Sequence, residues 1–191
     1  MTQAAPARRR NAEATREAII EAARVRFMNN AYEQVSLREI AAAAGIDPAL
    51  VIRYFGSKEG LFERVLTTEV VGPDREVVGD RETFGERMAR AHVERYADPT
   101  RFETINTAIW SAASPVAAKI VKRDIETRFL EPIAKALDGP DAEIRAALIM
   151  SILNGASVLR HMLEIRPLKE GDPDAIAKHL AAVLQHLADG D

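Results

Sequence analysis

The sequence contains no cysteine among its 191 residues, and only 5% of its residues are aromatic. Disulfides, thiolate metal sites and cysteine nucleophiles are therefore excluded. There is no run of 18 or more uncharged apolar residues, and the three arginines at 8–10 are not followed by the apolar segment of a signal peptide. We therefore expect a cytoplasmic globular protein with no membrane partner, whose 47% apolar residues can bury a full core.

The sequence also lacks runs of alternating residues rich in valine, isoleucine and threonine, which would indicate strands. Apolar residues instead recur every three or four positions, alanine is abundant, and proline and glycine clusters separate the segments. This pattern predicts an all-α fold of about nine helices. In the second half of the chain, helices are predicted over residues 80–97, 100–113, 115–137, 142–165 and 174–188.

Two short predicted helices near the N-terminus are joined by a very tight turn. Ser36 can cap the first helix while Glu39 reaches back to it, and Gly45 supplies a left-handed residue at its end. Asp47 then caps a second helix that begins at Pro48, where a missing amide proton has no cost. This arrangement is typical of a helix-turn-helix, although such a turn also occurs in simple αα corners.

The second of these helices, over residues 48–55, has two distinct faces. Val51 and Phe55 share the face that would enter the core, whereas Pro48, Ala49, Ile52 and Arg53 lie roughly opposite. An arginine there can donate two hydrogen bonds to guanine, and a small apolar side chain such as Ala49 or Leu50 can contact a thymine methyl. Tyr54 can reach a phosphate from the flank, and so can Lys58, which is poorly placed for the dipole of the helix that Ser57 caps.

Three segments of the N-terminal region together resemble the DNA-binding domain of the tetracycline-repressor (TetR) family. They are TREAIIEAA at 15–23, VSLREIAAAAGI at 35–46 and RYFGSKE at 53–59. The resemblance implies DNA-backbone contacts by Ser36, Tyr54 and Lys58, base contacts by Pro48, Ala49, Leu50 and Arg53, and a structural role for Gly45. The family usually has tyrosine where this chain has Ile52, so that residue would instead contact a sugar or a thymine methyl.

The charge distribution and the motifs together predict four regions. Residues 1–64 carry 10 basic and 8 acidic side chains, whereas the remainder carries 16 basic and 21 acidic ones, as expected if only one end meets phosphate. The arginines at 8–10 resemble arms that enter the minor groove, but they also fit a solvated run of charge. We predict a disordered basic arm (1–11), a helix-turn-helix DNA-binding domain (12–56), a connecting helix (57–71) and a helical ligand-binding and dimerisation domain (72–191).

Two predicted helices near the C-terminus are candidates for a dimer interface. The helix over 142–165 is apolar on too many sides for a surface helix, and that over 174–188 adds a second apolar stripe. The family resemblance implies that two such helices from each subunit form a four-helix interface, as a palindromic operator requires. Burial of both helices inside a monomer is the alternative. Upstream, Pro132 predicts a bend near 127–128 or an early end of its helix.

The family resemblance also implies a small-molecule effector, which the single tryptophan and the scattered methionines predict to be apolar or aromatic, with few polar anchors. The candidate ligand residues are aromatic, polar and methionine side chains of the middle helices: Phe84, Met88, His92, Phe102, Trp110, Phe129, Asn154, His161 and Met162. Paired Glu-x-x-His motifs, a Ser-His-Asp grouping and a glycine-rich phosphate loop are all missing, so we expect neither an enzyme nor a cofactor. A ligand-independent regulator or architectural DNA-binding protein remains the alternative.

Overall fold

A computed structural model describes residues 4–69, 78–95, 107–109 and 111–190, which form α-helices and no strand, as the apolar periodicity predicts. Ten helices are defined in this part of the chain: α1 Ala4–Asn29, α2 Leu37–Ala43, α3 Pro48–Phe55, α4 Lys58–Glu69, α5 Phe84–Glu94, α6 Pro115–Ile125, α7 Glu131–Leu137, α8 Ala142–His161, α9 Arg166–Lys169 and α10 Pro173–Asp189. Short 3₁₀ turns occupy Tyr32–Gln34 and Arg81–Thr83.

The chain divides into two compact units, residues 1–69 with 106–122 and residues 70–105 with 123–191. This division differs from the predicted domains in two respects. Helix α4, expected to be a connecting helix, buries Leu61, Phe62, Val65 and Leu66 in the N-terminal core. Residues 106–122, expected in the C-terminal domain, belong to the N-terminal unit, and Ala117 of α6 is buried in its core.

An aromatic cluster forms the centre of the N-terminal unit. The ring of Phe62 meets those of Phe27 and Tyr32 edge-on, with centroids 4.9 and 5.1 Å apart. Ile19, Ala23 and Phe27 recur every four residues on α1, and all three are fully buried, as their spacing predicts. The cluster therefore fixes α1, the 3₁₀ turn and α4 around a single core.

Helix α1 begins earlier than the sequence predicts. Its first residue is Ala4, so residues 4–11, expected to be a disordered arm, continue the helix. Alanine and arginine, which fill much of this segment, are among the strongest helix formers, which is a physical reason for the extension.

The helix predicted over 115–137 is interrupted at the place that Pro132 indicates. Residues Glu126–Leu130 form a π-helical segment, in which the amide of Glu131 donates to the carbonyl of Glu126, between α6 and α7. Proline has no amide hydrogen and crowds the carbonyl four residues before it, so the regular pattern cannot continue there. The structure thus accommodates the proline by a π-segment over 126–130 before α7 resumes.

The other predicted C-terminal helices differ in their bounds. The segment predicted over 80–97 contains the 3₁₀ turn and α5, and most of that predicted over 100–113 lies outside the described residues. Helix α8 ends at His161 rather than at residue 165, because Glu164 adopts a left-handed conformation (φ 50°). The unpredicted α9 then begins at Arg166, with Pro167 in its first turn.

Two long-range contacts hold the C-terminal unit together. At Gly85, α5 approaches α10 so closely that a Cβ atom would lie 2.3 Å from the carbonyl oxygen of Ala181. The buried guanidinium of Arg145 on α8 donates to the carbonyls of Leu187 and Ala188 at 3.1 and 2.8 Å, so it caps the end of α10. Glycine and a buried arginine are therefore structural at these two positions.

Candidate functional site

The first helix of the predicted helix-turn-helix is fixed by a complete capping box. The hydroxyl of Ser36 accepts a hydrogen bond from the amide of Glu39 at 3.2 Å, and the Glu39 carboxylate accepts one from the amide of Ser36 at 3.1 Å. The same carboxylate accepts the hydroxyl proton of Ser36 at 2.8 Å. Both hydrogen-bond donors of Ser36 are thus bound to Glu39, and a phosphate would have to displace a like-charged carboxylate to receive them.

The turn between α2 and α3 has the geometry that its residues predict. Gly45 is left-handed with φ 67°, and the amide of Ile46 donates to the carbonyl of Ala41 at 3.0 Å. Asp47 then caps α3 by accepting the amide of Ala49 at 2.7 Å, with Pro48 in the first turn. Because the backbone reverses within these few residues, α3 is held at a defined angle to α2.

Helix α3 has one buried and one exposed face. Val51 is fully buried, and Phe55, predicted to share that face, is only half-buried. The exposed residues are Pro48, Ala49, Ile52 and Arg53, whereas Leu50 and Tyr54 are half-buried. The side chains predicted to face bases therefore form one exposed arc, except that Leu50 lies at its margin.

Tyr54 is covered by an arginine from another helix, a contact that the sequence analysis missed. The guanidinium of Arg16 on α1 lies 5.6 Å from the centroid of the Tyr54 ring and 6.0 Å from that of Phe55. Cation–π contact holds this exposed arginine beside the end of α3. Arg16 thus adds a positive charge to the candidate site. The sequence feature that could have indicated this role is its place in the TREAIIEAA segment.

Lys58 is half-buried, and its ammonium group lies 4.2 Å from the centroid of the Tyr32 ring. Burial lowers the pKa of Lys58, while the carboxylates of Glu33 and Glu59 partly oppose that change. Burial also raises the pKa of Tyr32, with Glu59 as the second cause. In this conformation, Lys58 stabilises the N-terminal core, so it would have to turn outward to reach a phosphate.

The predicted ligand residues fall into several environments within the C-terminal unit. Phe84 and Met88 are buried in its hydrophobic core, whereas Phe129, Asn154 and His161 are half-buried and Met162 is exposed. Phe102 and Trp110 lie outside the described residues. Phe84 and Met88 therefore belong to the hydrophobic core. The predicted ligand residues do not all share one environment.

His92 is the most unusual of these side chains, because it is a buried ionisable group. Its Nε2 atom lies 3.5 Å from the hydroxyl of Ser157 on α8, and only 8% of the residue is exposed. Burial lowers the pKa of His92 to about 4, and the nearby positive charges of Arg95 and His161 act in the same direction. His92 is therefore a neutral imidazole at physiological pH. Its Nε2 atom can donate a hydrogen bond to the Ser157 hydroxyl or accept one from it, depending on the tautomer.

The comparisons with known proteins agree with this geometry. Residues 19–65 match the profile of bacterial regulatory proteins of the tetR family, and residues 82–187 match the tetracyclin repressor-like C-terminal domain. The HTH-type transcriptional repressor BdcR of Escherichia coli (strain K12) is 39% identical over 74 residues, which is 37% of each chain. The aligned part thus spans well under half of that curated relative.

Two solved structures have the same fold over nearly the whole chain. A TetR-family regulator from Streptomyces coelicolor A3 is 29% identical, with a TM-score of 0.60 over 92% of this chain and 95% of that one. The SmeT–triclosan complex is 21% identical, with a TM-score of 0.65 over 89% and 90% of the two chains.

An N-terminal helix-turn-helix with one exposed face, followed by a second helical unit, defines a DNA-binding transcriptional regulator of the helix-turn-helix class. Because a family profile covers more than half of the chain and a second covers the helix-turn-helix, this chain belongs to the TetR family.

Proposed function

We propose that this protein is a cytoplasmic repressor that binds a palindromic operator as a homodimer and leaves it when a small, largely apolar ligand binds the C-terminal unit. The observation that carries the DNA-binding part is the exposed arc of α3. Its one charged residue, Arg53, stands beside small and apolar side chains, and the capped turn holds the helix rigidly. Such a helix can enter a major groove without reorganisation.

The contacts that this proposal assigns differ in strength. Arg53 donates two hydrogen bonds to a guanine, and Pro48 and Ala49 fit closely against neighbouring base edges. Tyr54 contacts the backbone beside them, together with Arg16. Leu50 contributes from the edge of the arc, Lys58 reaches a phosphate only after leaving the Tyr32 ring, and Ser36 contributes chiefly as a helix cap.

Exposed apolar residues on α8 and α10 support a homodimer through these two helices. Ile144 is 61% exposed and Leu148 47% exposed on α8, and Val183 is 48% exposed on α10. An added Cβ atom at Gly155 would meet no described atom within 4 Å, so another helix can approach closely there. Covering these side chains with the same surface of a second subunit would remove them from water.

Helix α8 is also long and apolar enough, by length and composition alone, to span a membrane, and it is the one such helix within the described ranges. Arg145 weighs against that reading, because its guanidinium is buried within this unit and bound to backbone carbonyls. The exposed apolar face of α8 therefore serves better as a protein interface than as a lipid-facing surface.

The ligand part of the proposal rests on the buried polar pair of His92 and Ser157 and on the half-buried Phe129, Asn154 and His161. A relative of the same fold has been solved in complex with triclosan, which supports a small apolar effector for this chain. Binding would favour a dimer whose two α3 helices no longer match successive major grooves, which are about 34 Å apart.

Selection of duplexes from a randomised DNA library by the full-length protein tests the proposal. The expected result is enrichment of a palindromic sequence, with 10-fold or greater loss of binding by the Arg53→Ala, Tyr54→Ala double variant. Arg53→Ala alone should cost about 1–3 kcal/mol and relax preference at one base position. Phe129→Ala, which alters a half-buried candidate ligand residue of the C-terminal unit, is the control and should select the same duplexes. Unchanged binding by the double variant would refute the assigned face of α3.

A further inference from the structure

Ile52 is an exposed apolar side chain near the middle of the exposed arc of α3. It is 48% exposed, although its neighbour Val51 is fully buried. Because successive helical residues rotate by about 100°, the arc runs in the order Pro48, Ile52, Ala49 and Arg53 around the helix axis. The largest apolar side chain of the arc thus stands where a groove-bound α3 would be closest to the bases.

We propose that Ile52 is a specificity-determining residue that recognises the 5-methyl group of thymine. This inference rests on the proposed insertion of α3 into a major groove. The thymine methyl is an apolar group on the major-groove edge of an A·T pair, so an aliphatic side chain can distinguish it from the other bases. Isoleucine has no hydrogen-bonding side-chain atom, so it cannot hold a phosphate as a polar residue at this position could.

The position of Ile52 beside Arg53 indicates that the thymine and the guanine they contact lie near each other in the operator. Both side chains belong to the same exposed arc and are adjacent in sequence. The rise per helical residue is about 1.5 Å, which is less than half of one base-pair step of about 3.4 Å. We therefore expect Ile52 to contact a thymine within a few base pairs of the guanine that Arg53 contacts, in the same half-site.

Replacement of thymine by 2′-deoxyuridine tests the inference, because it removes only the methyl group. The probe is a palindromic duplex selected by the full-length protein, with uracil placed at one thymine position of both half-sites at a time. Burying one methyl group changes binding about fourfold, so the paired substitution at the recognised position should weaken wild-type binding about fifteenfold. Ile52→Ala should bind thymine and uracil duplexes with equal affinity at that position.

The comparison is a double-mutant cycle between one side chain and one methyl group. Ile52→Val, which keeps a branched aliphatic side chain, should retain part of the discrimination. Val25→Ala removes an equally exposed aliphatic residue from α1, outside the α3 arc, and should discriminate like the wild type. Circular dichroism should show the same helix content for all variants, because neither position is buried.

Two outcomes would overturn the inference. If Ile52→Ala weakens binding but still loses the same factor on uracil substitution at every thymine, Ile52 contacts a sugar and reads no base. If no thymine position affects the wild type, the methyl group is not recognised. Failure of the wild type to enrich any duplex would instead refute the DNA-binding proposal on which the inference rests, and it is seen before any uracil is introduced.

Discussion

The hydroxyl of Ser114 donates a 2.5 Å hydrogen bond to Oε1 of Glu33, and it accepts the amide of Ala117 at 3.3 Å. Glu33 belongs to the 3₁₀ turn that follows α1, whereas Ser114 caps the first turn of α6. A single buried hydroxyl therefore links α6 to the turn that also faces Lys58. The contact explains how residues far apart in sequence become part of the N-terminal unit.

Loss of this hydroxyl should destabilise the protein. Ser114→Ala removes a helix cap and a hydrogen bond to a charged group together, so we expect the free energy of unfolding to fall by about 2 kcal/mol. Glu33→Ala keeps the helix cap but removes the hydrogen bond to Ser114 and a carboxylate that acts on Lys58, so it should cost about 1 kcal/mol. Urea denaturation measures both values.

Thr68→Ala is the matched control, because the exposed Thr68 hydroxyl bonds only to the carbonyl of Arg64 on its own helix. This variant should change the free energy of unfolding by less than about 0.5 kcal/mol. Equal losses in Ser114→Ala and Thr68→Ala would show that the link between α6 and the 3₁₀ turn contributes nothing to stability.

Lys58 should contribute to folding as well as to DNA affinity, because its ammonium lies against the Tyr32 ring. Lys58→Ala should lower the free energy of unfolding by about 1 kcal/mol. It should also weaken binding to all DNA sequences alike and reduce the salt dependence of the affinity by about one ion per protomer. Thermal denaturation and binding titrations at several salt concentrations separate the two effects.

The two measurements distinguish the roles of Lys58 cleanly. A variant with lower stability but an unchanged salt slope would leave Lys58 as a core residue only. Lys122→Ala, an exposed lysine of α6, is the control and should leave the salt slope unchanged.

The part of the site that could be predicted from sequence is the part built from contacts between neighbours in the chain. The Ser36–Glu39 capping box joins residues three positions apart, and the turn at Gly45 is closed by a backbone bond between residues five positions apart. Such contacts depend on residue type and spacing, which the sequence displays directly. The all-α fold and the helix-turn-helix follow from them.

The remaining features depend on which distant segments meet, and residue spacing does not record that. Arg145 caps carbonyls more than 40 residues away, and Gly85 is required because α10 passes within contact distance. The place of Lys58 in the first turn of α4 predicts a phosphate contact, whereas in the structure its ammonium lies against the Tyr32 ring. The charge of a residue and its position in a helix do not predict such contacts, because tertiary packing determines them.

His92 should make the protein less stable as the pH falls. In the unfolded chain its imidazole binds a proton near its ordinary pKa of 6.5, whereas in the folded protein the pKa is about 4. Between these values the unfolded state holds more protons, so the free energy of unfolding declines as the pH falls from 7 to 4, by roughly 3 kcal/mol from this residue. About one pH unit or more below the folded pKa, both states are protonated and this contribution changes no further.

Comparison of His92→Gln with the wild type isolates this contribution from those of the acidic residues. Glutamine keeps a hydrogen-bonding group beside Ser157 but does not titrate, so its stability profile should be flatter between pH 7 and 4. His179→Gln alters an exposed histidine of α10 and should retain the wild-type slope. Parallel profiles for His92→Gln and the wild type would contradict the buried neutral imidazole.

Carboxylates placed on the exposed apolar faces of α8 and α10 should separate the proposed dimer. Leu148→Glu and Val183→Glu each alter a side chain that is about half exposed in one subunit. In a two-fold interface each substitution occurs twice, and an unpaired buried charge costs several kcal/mol, so dimerisation should weaken at least a hundredfold. Sedimentation velocity should then show a monomer with the helix content of the wild type.

The effect on DNA completes the test, because a monomer can bind only one half-site of a palindrome. Both variants should therefore lose affinity for the full selected duplex while retaining the affinity of the wild type for an isolated half-site. Val25→Glu introduces the same charge at a comparably exposed position of α1 and should remain dimeric. If Leu148→Glu and Val183→Glu also remain dimeric, the subunits associate through another surface, and the apolar faces of α8 and α10 need a different partner.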